Sequence, residues 1–131
     1  MEIQNYSDLV VWQKAMQLVK IIYQLTKKLP KDELYALSNQ MRRAAVSIPS
    51  NIAEGYERKS SKEYIHFLSI AKGSNAELQT QLRICVDIEY LSSEDTRTAL
   101  DLSEEVRKML FSLIKKLTPA PCPLPPELQG A

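Results

Sequence analysis

Four stretches of this sequence place apolar residues three and four positions apart, which is the spacing of an amphipathic α-helix. Between these stretches the chain has few places to turn, because only 3 of its 131 residues are glycine. Few turns in a chain of this length mean few, long elements, which favours helices over strands. The sequence therefore predicts an all-α protein, with an antiparallel up-down-up-down four-helix bundle over residues 1–118 and a disordered, proline-rich C-terminal tail over 119–131.

The first predicted helix has an unusually wide apolar face. It begins at an N-cap, Ser7, and runs to Lys28, after which Pro30 stops it. An outer seam consists of Leu9, Trp12, Met16, Val19 and Tyr23, and an inner seam of Val11, Ala15, Leu18, Ile22, Leu25 and Leu29. One seam suffices to dock a helix on a partner. With two, either the helix lies deep between neighbours or another subunit covers its outer seam.

The second predicted helix spans residues 32–57 and contains Pro49. An interior proline loses one backbone hydrogen bond and costs about 3 kcal/mol. Because the apolar spacing continues from Ile48 to Ile52, the sequence predicts one kinked helix rather than two. Gly55 is its predicted C-cap or the start of the following turn. An alternative is that the second and third helices form a long hairpin that packs mainly against other copies.

The third predicted helix begins at a capping box formed by Ser60 and Glu63 and reaches Tyr90. Gly73 lies in its interior, where glycine costs about 1 kcal/mol relative to alanine. We therefore expect Gly73 to mark either a close approach of another helix or a bend. The fourth helix, capped by Ser92, ends before the proline-rich tail.

A polar stripe runs along the second helix beside its apolar face. Its members are spaced 3-4-4-3 and so share one side of the helix: Gln40, Arg43, Ser47, Asn51 and Glu54. Such a stripe is either a solvated face or a functional surface. The functional interpretation is the wall of a groove, the lining of an oligomer's central channel or a hydrogen-bonded subunit contact.

A cluster of cations is predicted at one end of the bundle. The turn after the second helix, the start of the third and the end of the fourth meet there, and they carry Arg58, Lys59, Lys62, Lys115 and Lys116. Five cations could hold the phosphates of a nucleic acid. Glu54, Glu57 and Glu63 partly cancel their charge, and no aromatic residue is interleaved to stack on bases. The alternative is ordinary solubilising charge.

No pattern in the sequence predicts a catalytic or metal site. His66 is the single histidine, and neither a cysteine nor an acidic residue lies four positions from it. Glu54 and Glu77 are the best acid–base candidates by position. Carboxylate metal sites in bundles use a Glu-x-x-His pattern on each of two helices, and with one histidine this sequence can supply the pattern only once, from Glu63 to His66. Cys85 is predicted in the core, and with Cys122 it gives no metal spacing or disulfide framework. We therefore expect no cofactor and no small-molecule substrate.

Charge and hydropathy indicate in which part of the cell the protein acts. The net charge of +1 gives no overall field towards nucleic acid. The chain begins without the basic and apolar regions of a signal peptide, and no apolar run approaches the roughly 18 residues that a membrane span needs. The sequence therefore predicts a cytoplasmic protein that does not enter a membrane.

Two segments carry a family resemblance: LVVWQKAMQLV and LYALSNQMRRAAVSIPSNIAEGYERKSSKEYIHFLSIAKGSNAELQTQL. Over about residues 8–117 the sequence resembles the bacterial four-helix-bundle family named for 23S rRNA intervening sequences, also called S23. The resemblance implies an antiparallel bundle that assembles into a homopentamer, and it suggests association with RNA. A related branch comprises the accessory proteins of diversity-generating retroelements, which bind a reverse transcriptase and nucleic acid.

Together, the residues and the resemblance predict a non-enzymatic, homo-oligomeric bundle that acts as an adaptor for RNA or a ribonucleoprotein. The alternative is a scaffold that binds a protein, such as a reverse transcriptase, through its outer helix faces. An enzyme ranks last, because nothing in the sequence resembles a catalytic nucleophile, a base with its orienting partner or a cofactor loop.

Overall fold

The computed structural model describes residues 2–119, and this part of the chain is helical without any strand. The elements are a 3₁₀ turn at Tyr6–Asp8, α1 (Val10–Thr26), a 3₁₀ turn at Lys31–Glu33, α2 (Leu37–Tyr56), α3 (Ser61–Asp87) and α4 (Ser93–Leu117). The predicted all-α bundle is confirmed. Residues 120–131, which hold Cys122 and nearly all of the predicted tail, lie outside the described residues.

The four helices close into a ring in which each helix packs against two others. α1 and α3 both contact α2 and α4, whereas the diagonal pairs make no close backbone contact. Along the α2–α3 boundary, Met41 meets Cys85 and Ser47 meets Ser74. Residues early in α2 thus face residues late in α3, as expected for helices that run in opposite directions.

The inner seam of α1 forms one wall of the core. All six of its predicted members are buried: Val11, Ala15, Leu18, Ile22, Leu25 and Leu29. The outer seam is only partly covered, since Met16 is 44% exposed and Tyr23 is 40% exposed. α1 therefore does not lie deep between neighbours of its own chain, and its outer seam is left at the surface.

The start of α1 differs from the prediction. Ser7 lies inside the first 3₁₀ turn, which Asn5 and Asp8 close with a reciprocal capping box. The N-cap of α1 itself is Leu9, which makes no side-chain capping bond. The prediction of Ser7 as the helix N-cap is therefore wrong, because a short turn with its own cap precedes the helix.

α2 begins later than predicted and then continues without a break. Residues 31–33 form a separate 3₁₀ turn, and Ala36 has a non-helical backbone (φ −122°, ψ −104°), so the helix starts at Leu37 rather than at Asp32. The helix passes through Pro49 as one element, as predicted, and ends at Tyr56; the predicted kink at the proline stays a prediction. The apolar pattern across the proline therefore outweighs the missing hydrogen bond.

The prediction of Gly55 as the C-cap of α2 or the start of the following turn is wrong. Gly55 lies inside the helix, at a point of close packing against α3. The C-cap is Glu57. A Cβ atom at Gly55 would lie 2.9 Å from the Cβ of Phe67 and 3.0 Å from a ring carbon of Tyr64, both in α3. Only glycine lets the two helices approach this closely.

Both ends of α3 are defined by hydrogen bonds. At its start the Ser60 hydroxyl accepts from the Glu63 backbone N–H at 3.2 Å, so the predicted N-cap is present, but the Glu63 side chain makes no return bond and the predicted capping box is only half formed. At its end Glu89 has φ 64°, and the Tyr90 N–H bonds the Cys85 carbonyl at 2.8 Å. The Glu89 N–H also bonds the carbonyl of Val86, which completes a Schellman motif. α3 therefore ends before Tyr90, its predicted limit.

α3 runs unbroken through Gly73, and a Cβ atom at that position would meet nothing within 4 Å. The predicted close approach therefore does not occur within this chain. The next two residues join α3 to both of its neighbours. The Ser74 hydroxyl lies 2.8 Å from that of Ser47 in α2, and the buried amide of Asn75 exchanges two hydrogen bonds with Ser103 in α4.

Candidate functional site

The predicted cation cluster lies on the surface, and part of its charge is balanced locally. Arg58 donates to the Glu54 carboxylate at 2.6 Å, and its guanidinium lies 4.7 Å from the centroid of the Phe67 ring. Lys59 and Lys62 are exposed in and after the turn that follows α2. The cluster is therefore weaker as a polyanion site than the count of cations alone indicates.

The two lysines that α4 contributes, Lys115 and Lys116, are exposed in its last turn. About one turn earlier, Phe111 stacks against Lys72 of α3, with 5.4 Å between the ammonium nitrogen and the ring centroid. This contact places the last turn of α4 towards the same end of the bundle as the start of α3. No ion pair or hydrogen bond among residues 2–119 joins these lysines to Arg58, and phosphate binding by the cluster stays a prediction.

The polar stripe of α2 divides into a bound centre and exposed ends. Ser47 contacts Ser74 of α3, and the Asn51 amide donates to the Ser47 carbonyl at 2.8 Å and to its hydroxyl at 2.9 Å. Gln40 and Arg43 are exposed and line a shallow cleft of about 290 Å³ together with Ser74 and Glu77. The centre of the polar stripe therefore helps to hold α2 on α3, and the Gln40 end of the stripe is exposed to a partner.

Two neighbouring cavities between α1 and α2 share Val46, and together they are called the α1/α2 cleft; its first half is apolar. This apolar half, of about 320 Å³, is lined by Tyr6, Trp12, Met16, Val19, Val46, Pro49, Ser50 and Ala53. The rings of Tyr6 and Trp12 meet edge to face with centroids 5.4 Å apart, which orders the end of the cleft. The outer seam of α1 thus forms one wall of an open apolar surface.

The second half of the same cleft is cationic. This cationic half, of about 460 Å³, is lined by Tyr23, Asn39, Arg42, Arg43, Val46 and Ser47. The Arg42 guanidinium lies 4.8 Å from the centroid of the Tyr23 ring. Its Nε donates to the hydroxyl of Thr26 at 2.9 Å, and that hydroxyl donates to the Tyr23 carbonyl. Arg42 is therefore held in one orientation from two sides.

Sequence reasoning missed this cationic half, because it assigned Tyr23 to the apolar outer seam. Tyr23 and Arg42 lie on different helices, and only the fold brings them together. A sequence signal was present, however. No acidic residue occurs in residues 9–31 or in residues 34–53, so the cations of both helices lack carboxylates nearby in the chain.

The perturbed titratable groups have structural explanations. Burial raises the pKa of the Cys85 thiol, which lies 3.7 Å from the sulfur of Met41 in the core. A hydrogen bond to Glu33 raises the pKa of Tyr90. Within residues 2–119, no three His, Cys, Asp or Glu side chains are grouped so that they could hold a metal ion. The raised pKa values of Cys85 and Tyr90 thus follow from packing and local hydrogen bonding.

The helices are also too polar for a membrane-spanning role in the part of the chain that the structure describes. None of them combines the length and the apolar character that crossing a bilayer requires.

Comparison with known proteins bears on both fold and function. A family model described as 23S rRNA-intervening sequence protein matches residues 7–112. The fold is similar to the crystal structure of a protein of unknown function from the S23 ribosomal protein family of Bacteroides thetaiotaomicron VPI-5482, with a TM-score of 0.76 and 30% sequence identity. The match covers 81% of this chain and 99% of the other. Comparison with curated proteins gives no match.

Proposed function

The chain belongs to the 23S rRNA-intervening sequence protein family, and from this premise we propose that it is a non-enzymatic, homo-oligomeric adaptor for RNA or a ribonucleoprotein. The family's name supports the RNA part of the proposal. The surfaces of the bundle support the assembly part. A homopentamer is the assembly that the family resemblance implies.

The observation that carries assembly is the apolar half of the α1/α2 cleft. Met16 is 44% exposed and Val46 is 40% exposed, and they face each other across a cleft that also holds Trp12 and Val19. Contiguous apolar surface of this kind marks a protein interface, because water is released when a partner covers it. A second copy of this chain is the partner that we propose, and the exposed Gln40 end of the polar stripe would lie beside it.

Light scattering on the purified protein tests assembly. We expect a mass near that of a pentamer, unchanged between low and high salt, because burial of apolar surface is insensitive to screening. Met16→Glu would place a charge in the interface and is expected to reduce the mass to that of a monomer. Gln17→Glu is the matched control, since it adds the same charge at the neighbouring exposed position. A monomeric wild-type protein would refute the proposed assembly.

Light scattering with structured RNA tests the second part of the proposal. We expect added RNA to increase the mass at low salt and high salt to abolish the gain, because phosphate contacts release counterions. Failure of the wild-type protein to bind RNA at low salt would contradict the adaptor function. Replacement of Arg58, Lys59 and Lys62 by Glu then tests whether the predicted cation cluster contributes to RNA binding.

A second candidate function is a scaffold that binds a protein, such as a reverse transcriptase. It is favoured by isoleucines that lie exposed on α3 and just beyond its end: Ile70, Ile84 and Ile88. Recovery of one protein partner by affinity purification after nuclease treatment would support the scaffold. Loss of every partner on nuclease treatment would support the RNA adaptor instead.

A further inference from the structure

We propose that the cationic half of the α1/α2 cleft binds single-stranded RNA, with phosphates on Arg42 and Arg43 and a base stacked beside Tyr23. This inference rests on the RNA association proposed above and names the surface that carries it. The surface lies near the α1–α2 connection, whereas the predicted cation cluster surrounds the α2–α3 turn. The two locations are therefore at opposite ends of α2 and can be tested separately.

Most of the positive charge around this half of the cleft is not held in ion pairs within residues 2–119. Other lysines of this region are paired with α4, as Lys14 with Glu105 and Lys28 with Asp95. Four further cations make no ion pair within residues 2–119: Lys20, Lys27, Arg42 and Arg43. Lys20 and Lys27 are three and four residues from Tyr23, so all three share one face of α1. Glu77 lines the neighbouring shallow cleft with Arg43 but makes no ion pair with it within residues 2–119, so the four cations keep an attractive potential for phosphate.

Arg42 is organised for a planar ligand before any ligand arrives. Thr26, which is buried, accepts from its Nε, and the Tyr23 ring supports its guanidinium. This arrangement uses one N–H and leaves the two terminal nitrogens to face a phosphate. Because the side chain is already fixed, binding costs less conformational entropy than it would for a mobile lysine.

Aromatic groups beside the cations favour a nucleic acid over another polyanion. Bases stack on aromatic rings and on arginine guanidinium planes, and Tyr23 and Arg42 supply one of each. Tyr35 does not line this half of the cleft, but it is 90% exposed in the connection into α2, close in sequence to Asn39, which does. A tyrosine this exposed gains nothing from the fold of its own chain. A second copy is the rival occupant, but it would need carboxylates to satisfy both arginines.

Binding of a fluorescein-labelled oligouridylate to the full-length protein, followed by fluorescence anisotropy across a salt series, tests the proposal. We expect Arg42→Gln with Arg43→Gln to weaken binding at least tenfold and to reduce the log–log salt slope by about 1.4, or roughly 0.7 for each arginine that no longer neutralises a phosphate. Lys27→Gln with Arg43→Gln changes only exposed residues and should act in the same direction. Tyr35→Ala should weaken binding about fivefold or more and leave the slope unchanged, because it removes stacking without charge.

The matched control is Lys59→Gln with Lys62→Gln, which removes two exposed cations from the α2–α3 end. We expect it to retain wild-type affinity within a factor of about three. If this control loses binding while the arginine variant keeps it, RNA association stands and the proposed surface is wrong. If the arginine variant changes the mass in light scattering, the arginines hold a neighbouring subunit and the inference fails. Absence of RNA binding by the wild-type protein would refute both the function and this inference.

Discussion

The backbone of Glu89 adopts a conformation that favours glycine. Its φ of 64° lies in the left-handed region, where a side chain costs roughly 1–2 kcal/mol. The Schellman motif at the end of α3 requires this conformation at that residue, and the Glu89 side chain is exposed. The position therefore stores strain that no contact of the side chain explains.

Glu89→Gly should consequently stabilise the protein. Relief of the strain outweighs the larger conformational freedom that glycine has in the unfolded chain, so we expect a gain of about 0.5–1 kcal/mol. Urea unfolding of the two proteins measures the difference. Glu89→Ala is the matched control, since it removes the carboxylate but keeps the Cβ and should give no such gain. Equal stability of the Gly and Ala variants would show that the strain is not relieved.

Gly55 presents the opposite case, because any side chain there is harmful. A Cβ atom would lie 2.9 Å from the Cβ of Phe67 and 3.2 Å from the backbone oxygen of Tyr64, and neither is the mobile end of a side chain. Gly55→Ala should therefore force α2 and α3 apart and destabilise the protein by about 1–3 kcal/mol. Thermal unfolding checks this. An unchanged or higher Tm would mean that the helices separate without cost.

At the scale of the element, the start of α4 depends on a charged cap. Asp95 accepts from the Ser92 backbone N–H at 3.0 Å and from Lys28 at 3.2 Å. The bond from Ser92 is the main cause of a pKa below the ordinary value of 3.8 for this carboxyl, and Lys28 adds to it. The ionised form is thus favoured in the folded state.

The pH dependence of stability follows from this shift. A carboxyl with a lowered folded pKa stabilises the protein above its unfolded value of 3.8, and this contribution is lost as the pH falls through the folded pKa. We therefore expect Asp95→Asn to be less stable than wild type near neutral pH, and the difference to shrink as the pH falls below 3.8. Denaturant unfolding at a series of pH values tests this. Two parallel stability curves would contradict it.

Helix ends show how far the sequence could predict the fold. The caps of α3 and α4 at Ser60 and Ser92 were predictable, because a cap and its partner lie three residues apart in the chain. The starts of α1 and α2 were not, since each follows a 3₁₀ turn that shares the polar residues typical of a helix start. Local hydrogen bonds are thus readable from sequence, but the choice between two short helical turns is not.

The candidate site was less predictable than the fold for a physical reason. Apolar periodicity identified the buried seam of α1, because burial repeats with the helix period. The contact between Tyr23 and Arg42 depends on how α1 and α2 pack, and no spacing within either helix encodes it. Cation–aromatic pairs across helices therefore become visible only in three dimensions.

At the scale of the whole molecule, Gly73 has different consequences for the stability of one subunit and for the packing of an assembly. Within this chain a side chain at Gly73 would meet open space. The glycine therefore lowers helix stability, and no close contact within the subunit requires it.

Gly73→Ala should therefore stabilise the isolated subunit by about 1 kcal/mol. Denaturant unfolding at a concentration where light scattering reports a monomer measures this effect, with Met16→Glu as the background if needed. Light scattering of the same substitution in the otherwise wild-type chain gives the second readout. A decrease in mass would show that a neighbouring copy packs its backbone against Gly73. Lower stability of the monomer would instead contradict the open surroundings.

The buried pair of Asn75 and Ser103 bears on which other packings this sequence can adopt. Apolar seams with a regular repeat fit almost as well when one helix slides along another by a turn. Such a slide of α4 would leave the Asn75 amide and the Ser103 hydroxyl among hydrocarbon, at a cost of about 1–3 kcal/mol for each unsatisfied group. The pair adds little to the stability of the native register of α4, but it raises the free energy of the shifted registers. The sequence thus specifies this bundle in two ways: its native contacts stabilise the fold, and its buried polar groups destabilise the alternative packings.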